Sequence, residues 1–138
     1  MTSLFRPSLL LVLTAPLFAD GAGMLKECIS MYYAQGASAL IKEANGGKFH
    51  ASPSGYLVVL DETGKVLVHG ESSRFIGVNL SNFKDAQGHA FFKEALEARD
   101  KGRGRVSFVL NQGGAQVRKT LLWDFQAGVM FAWISDDH

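Results

Sequence analysis

Cysteine is almost absent from this chain of 138 residues: Cys28 stands alone, so no intramolecular disulfide can form. The residues ahead of it, Leu25-Lys26-Glu27, exclude a lipoprotein signal, which requires small uncharged residues there. Net charge is nearly absent too, with 14 basic residues against 13 acidic ones. Affinity for a phosphate backbone needs clustered, uncompensated cations, so a nucleic-acid partner is excluded. The one short basic cluster, Lys101, Arg103 and Arg105, is spaced by Gly102 and Gly104 and reads as a solvated helix-to-strand turn. Catalytic signatures are missing as well: no G-x-S-x-G, no P-loop, no supported cysteine–histidine pair. The four histidines, His50, His69, His89 and His138, lack metal-ligand spacing. Asp136-Asp137-His138 reads as a frayed tail, and Glu94 with Glu97 as a solvated helix face. No enzyme activity, metal or cofactor is expected.

Long apolar runs are also lacking. Ser8 to Phe18, behind Arg6, is roughly eleven residues, too short to span ~30 Å of hydrocarbon as a helix. A basic residue, an apolar stretch and the ending Leu17-Phe18-Ala19 form the layout of a secretory signal peptide. Cleavage is expected after Ala19, with Ala22 as the second choice and an uncleaved anchor as the alternative. Residues 1–19 are therefore assigned to the signal and 20–138 to one domain, exported to the periplasm or beyond. Removing Arg6 leaves 14 − 1 = 13 basic residues against 13 acidic ones.

What is present is organised as helix, two strands, helix, three strands. From Met24 to Ala44, Leu25, Cys28, Ile29, Tyr32, Leu40 and Ile41 recur at helical steps and make one apolar stripe. On that stripe Cys28 reads as a buried thiol acting as a small hydrophobe, with an intermolecular disulfide as the alternative. Gly36 weakens the middle of the helix and Gly46-Gly47 ends it. Tyr56–Asp61 is continuously apolar, which predicts a central strand covered on both faces. Glu62-Thr63-Gly64-Lys65 turns the chain into Val66–His69. The polar segment 71–85 carries isolated apolar residues, Phe75, Ile76, Val78, Leu80 and Phe83, expected to pack down onto the sheet. Asp85 is read as the N-cap of a helix reaching about Lys101. Strands near Arg105–Leu110, Gln116–Phe125 and Val129–Ile134 close the domain through glycine-containing hairpins. The fold class is α+β: a long N-terminal helix and a five-stranded antiparallel sheet with helix and loop cover.

The stretch YLVVLDETGKVLVHG, followed by RFIGVNLSNFKDAQGHAFFKE, carries the most specific signal. Its landmarks Asp61, Gly64, His69, Gly77, Asn79, Leu80, Asp85 and Gly88 resemble the core of a single Cache domain of the second type. That is a PAS-like extracytoplasmic sensing module of bacterial chemoreceptors and sensor kinases. The resemblance covers roughly residues 24–135 and weakens after Glu94. It implies binding of a small organic ligand, a short carboxylate such as acetate, propionate or pyruvate, in a pocket between sheet and loop. It also implies a homodimer through the N-terminal helix. The chain ends soon after its last strand, so signalling is expected to run through a partner, a membrane receptor or sensor kinase.

A buried carboxylate requires a cation or several donors. Lys119 matches a lysine of the family's fourth strand, and Arg118 beside it must face the other way. His69 matches the histidine that ends the second strand. Tyr56 offers a hydroxyl, while Phe75, Phe108 and Trp123 offer apolar walls. Asp61 and Asp85 read as structural, Gly77 as a positive-φ position, and Asn79 as a bond to the loop backbone. Two departures stand out. Leu122 with Trp123 replaces the family's tyrosine after the lysine, and Phe131-Ala132-Trp133-Ile134 lacks its Gly-x-Tyr ending. Hence the alternative: a ligand-free interaction module whose pocket is filled by Trp123 and Trp133.

Overall fold

The computed structural model describes residues 21–46 and 55–136. The proposed signal peptide, Gly47 and His138 lie outside the described residues. The first helix, α1, spans Gly21–Asn45 and carries its apolar stripe as expected, with Leu25, Cys28, Ile29, Leu40 and Ala44 buried. It is broken at Gly36, whose backbone (φ 89, ψ 171) is not helical. A side chain at that φ would be strained, so the weak position became a kink. Among the described residues no helix is long and apolar enough to cross a membrane.

Five strands follow: β1 Tyr56–Asp61, β2 Val66–His69, β3 Arg103–Gln112, β4 Ala115–Gln126 and β5 Val129–Asp136. They form one antiparallel sheet in the order β2-β1-β5-β4-β3. The first and last strands therefore pair in the interior of the sheet. Both read as nearly continuous apolar runs because both are covered on two faces. β4 instead alternates, with Lys119, Leu121 and Trp123 buried and their neighbours less so. α1 packs on one face over Leu57, Val59, Val68, Phe131 and Trp133. The other face is covered by the segment 70–90 and the short helix α2, Phe91–Glu97, over Val58, Leu60, Leu121 and Met130.

Two expectations need correction here. Asp85 is not a helix cap: α2 starts six residues later, with Ala90 at its N-cap. Gly88, at φ 81, closes a turn by donating its N–H to Asp85 O. The Asp85 carboxylate accepts from the backbone N–H of Gln87 and His89 and, across to β3, from Val109 at 2.8 Å. Burial opposes ionisation there, but those donors outweigh it and hold the carboxyl below its ordinary value. The covering loop also packs down only in part. Leu80 is buried and Phe75 half-buried, whereas Ile76, Val78 and Phe83 are exposed. Residues 77–80 run as an irregular strand beside Gly64–Val66, so successive side chains cannot all face the core.

Candidate ligand-binding site

Cross-strand partners point to the same side of a sheet, so the register fixes what each row presents to the loop-covered face. One row runs His69, Val58, Ala132, Trp123, Gly104. The next is Tyr56, Ile134, Leu121, Val106, and the one beyond it is Asp136, Lys119, Phe108. Over the Tyr56 end of these rows lies a cavity of about 180 Å³. Tyr56, His69 and Glu71 form one side of it, Phe108, Leu110 and Ile134 the floor, and Phe75, Leu80, Phe83, Phe91 and Phe92 the cover. Its wall is stiffened by ring contacts. Phe91 stacks on Phe108 with centroids 3.8 Å apart, and Phe83 meets Phe91 edge-on.

His69 sits between two rings, 5.3 Å from Tyr56 and 4.8 Å from Phe75, centroid to centroid. Its Nδ1 accepts from the backbone N–H of Ser72 at 2.9 Å and of Glu71 at 3.3 Å. Burial pushes the imidazole down to about 4, so near neutral pH it is uncharged. With Nδ1 accepting, the proton lies on Nε2, which becomes a donor without a partner among the described residues. The Tyr56 phenol is pushed up by burial first, then by the negative charges of Glu71 and Asp136. It stays protonated and can donate. The cavity is thus an aromatic box with two neutral donors at one end.

Lys119 is buried on the same face, one row beyond Tyr56, while Arg118 is exposed. Its Nζ does not line the cavity; it donates to Asp136 Oδ1 at 2.5 Å. Of the six residues expected at the site, Tyr56, His69, Phe75 and Phe108 converge on the cavity and Lys119 borders it. Trp123 lies elsewhere. Its indole crosses Gly104, where even a methyl group would come within 2.7 Å of the ring. It lines a larger groove, about 670 Å³, between α1 and the β3–β4 edge. That groove is bounded by the exposed side chains of Lys26, Ser30 and Arg103, and the residues expected to bind ligand do not gather there. Trp133 cannot fill the cavity either, because alternation places it on the α1 face beside Leu57 and Leu122. Leu122 is on that face too, so the departure at this position leaves the cavity wall unchanged.

Glu71, Ile134 and the phenylalanines of α2 were not singled out from the sequence, and Asp136, read there as part of a frayed tail, is instead the last residue of β5, paired with Lys119. The signal was available for two of them: Glu71 and Asp136 each follow a cavity-facing strand residue by two. Gly77 takes φ 89 as read, and Asn79 donates to Thr63 O while accepting from Ser81 N–H and Oγ–H. Asp61 accepts from Thr63 and Lys65 within the β1–β2 turn. No group of metal-ligating side chains occurs among the described residues.

A helix-flanked antiparallel sheet with a small pocket under a covering loop defines a PAS-like sensory fold. The Photoactive Yellow Protein domain of the sensor histidine kinase Ppr from Rhodospirillum centenum shares it, with 18% identity, a TM-score of 0.50, and 64% of this chain and 95% of that one covered. Within that class, the model of the Single Cache domain 2 family matches residues 28–124, and the chain belongs to this family. A periplasmic sensor domain of a chemotaxis protein superposes with a TM-score of 0.66 at 17% identity, covering 91% of this chain and 92% of that one. A Cache chemosensory domain, solved for the structural basis of its carboxylic acid recognition, gives a TM-score of 0.65 at 21% identity over 91% and 90%. Among curated proteins, none matches the chain significantly.

Proposed function

We propose that this protein is an extracytoplasmic sensory module that binds a short monocarboxylic acid in the aromatic cavity and reports it through a partner protein. One observation carries the reading: Tyr56 and His69, both neutral and able to donate, line one side of a mainly aromatic cavity, next to the row that holds Lys119. The acid head would accept from these groups and its chain would lie among Phe75, Phe91 and Phe108. A dry cavity of roughly 150 Å³ holds one benzene, so about 180 Å³ suits an acid of about six heavy atoms. Glu71 is the only acidic residue lining the cavity, and the small volume favours a monoacid over a dicarboxylate.

The location rests on the leader-like start of the chain and on its likeness to a periplasmic sensor domain. The partner, a membrane receptor or sensor kinase, rests on the kind of protein in which such folds occur, and pairing through α1 on the family resemblance alone. The reading includes no catalytic step. A thermal-shift series with acetate, propionate, butyrate, succinate and glutarate tests it. Ligand at a hundred times its Kd stabilises the native state by ~2.7 kcal/mol, which raises the midpoint by roughly 5–15 °C in a domain of this size. The expected result is a shift with the monoacids that is lost in His69→Ala and Lys119→Ala. A folded protein that responds to none of them would sink the reading.

A further inference from the structure

We infer that the free edge of β3 at residues 103–107 is a docking site for an extended acidic segment of a partner protein, which joins the sheet as an added strand. The inference goes beyond the cavity reading: it needs no ligand there, and it gives the proposed partner a place to attach. β3 ends the sheet, and its continuous register with β4 fixes where each backbone group points. Phe125 N–H donates to Gly102 O, so Gly102, Gly104, Val106 and Phe108 turn their backbone groups toward β4. Arg103, Arg105, Ser107 and Val109 turn theirs outward. Val109 is closed off: its N–H donates to Asp85 Oδ2, and its carbonyl accepts from Ala86 N–H. At the opposite edge of the sheet, Val66 is closed in the same way by residues 77 and 78. Among the described residues nothing pairs with the outward groups of Arg103, Arg105 and Ser107, and all three residues are exposed.

Charge selects what can pair there. Arg103 and Arg105 lie on this edge, and Lys26 of α1 lines the same groove as they do. The side chains of these three cations have no hydrogen bond or ion pair among the described residues. Asp124, the cross-strand neighbour of Arg103, is engaged instead by Gln126 at 3.0 Å, and Arg105 faces Leu122. A second copy of this chain paired antiparallel about Arg105 would set the two Arg105 side chains against each other, so self-pairing is opposed. The same cations attract a strand of opposite sign. Between them Gly104 offers bare backbone crossed by the Trp123 indole, which suits an apolar residue opposite it. The segment that fits therefore alternates acidic and apolar residues, which is itself a strand pattern.

The test uses the full protein with the synthetic peptide Glu-Val-Glu-Val-Glu, blocked at both ends, and its lysine counterpart Lys-Val-Lys-Val-Lys. Binding is followed by NMR, together with hydrogen exchange of the Arg103, Arg105 and Ser107 amides. The expected result is saturable binding of the acidic peptide alone, with exchange of those amides slowed. Two variants make the result specific. Arg105→Pro removes an outward N–H and costs the sheet no hydrogen bond, as an edge position allows; it should lose the peptide. Reversal of both charges, Arg103→Glu with Arg105→Glu, should weaken the acidic peptide about tenfold or more and admit the lysine one. Should Arg105→Pro fail to fold, the charge-reversed protein still decides. No binding, binding that leaves those amides exchanging as before, or equal affinity for both peptides overturns the inference. Slowed exchange that grows with protein concentration in the absence of peptide would place a second copy on the edge and overturn it as well. No small-molecule acid enters the test, so either result leaves the cavity reading standing.

Discussion

His69 shows how one side chain serves two tasks. Nδ1 holds the start of the covering loop through Ser72 and Glu71, and the same bonds fix the proton on Nε2 of a ring that lines the cavity. Anchoring the loop and offering a donor to a ligand are thus tasks for opposite nitrogens of one ring. The cost is a pH dependence with a definite sign. In the unfolded chain the imidazole protonates near its ordinary value of 6.5, but in the fold only at about 4. The unfolded state binds more protons between these values, so the contribution is full above pH 6.5 and is lost as pH falls toward 4. Denaturant midpoints measured from pH 7 to pH 4 should fall, and in His69→Asn, which still accepts from Ser72, the fall should be shallower. An identical slope in the variant would show that His69 does not carry it. Asp85 teaches the opposite lesson about legibility. Its type and spacing suit a helix cap, yet three backbone donors, one of them 24 positions away, recruit it to tie the loop to β3. Local pattern cannot show so distant a donor.

At the scale of elements, β1 and β2 have the bounds read from the sequence, because Asp61, Gly64 and the apolar runs around them specify a tight hairpin locally. β3 and β4 run longer than expected, since pairing with each other extends both into their polar ends. The two later hairpins turn through two residues each. Gly113 and Gly114 both have positive φ, and in the second turn Ala127 (φ 54) precedes Gly128 (φ 77). This is the twist-matched hairpin turn, which needs positive φ at both positions. Ala127 is the only described residue other than glycine in that region. A left-handed conformation costs an L-residue roughly 1–2 kcal/mol, while glycine adds about 0.5–1 kcal/mol of unfolded-state entropy. Ala127→Gly should therefore stabilise the protein by a few tenths to about 1 kcal/mol. Chemical denaturation checks this; a loss of stability would mean that the turn is not strained.

For the molecule as a whole, two cores share one sheet. The α1 side is open only at the groove beside β3 and β4, and the loop side is left incomplete where the cavity lies. Cys28 belongs to the α1 side. It is fully buried beneath α1, and burial, with a smaller contribution from Glu27, pushes its thiol up to about 12. A thiolate is needed for reaction, so the native protein should resist a thiol reagent at pH 8 and react only as α1 leaves the sheet. The labelling rate then reports opening of that helix, and native protein should form no disulfide-linked dimer on oxidation. Rapid stoichiometric labelling of folded protein would show that α1 detaches easily.

The sequence alone determined the elements, their order, the apolar stripe of α1 and the two-sided burial of β1. Each is a matter of periodicity and turn chemistry within a few residues. It also singled out Lys119, His69, Tyr56, Phe75, Phe108 and Trp123 as candidates, through residue type and family pattern. Only the tertiary structure decided that four of these meet in one cavity while Trp123 and Trp133 point elsewhere. It alone placed Asp136 on Lys119, a pairing of residues 17 positions apart. The physical reason is register: which side chains share a row is fixed when β1, β4 and β5 align, and no local stretch of chain contains that alignment.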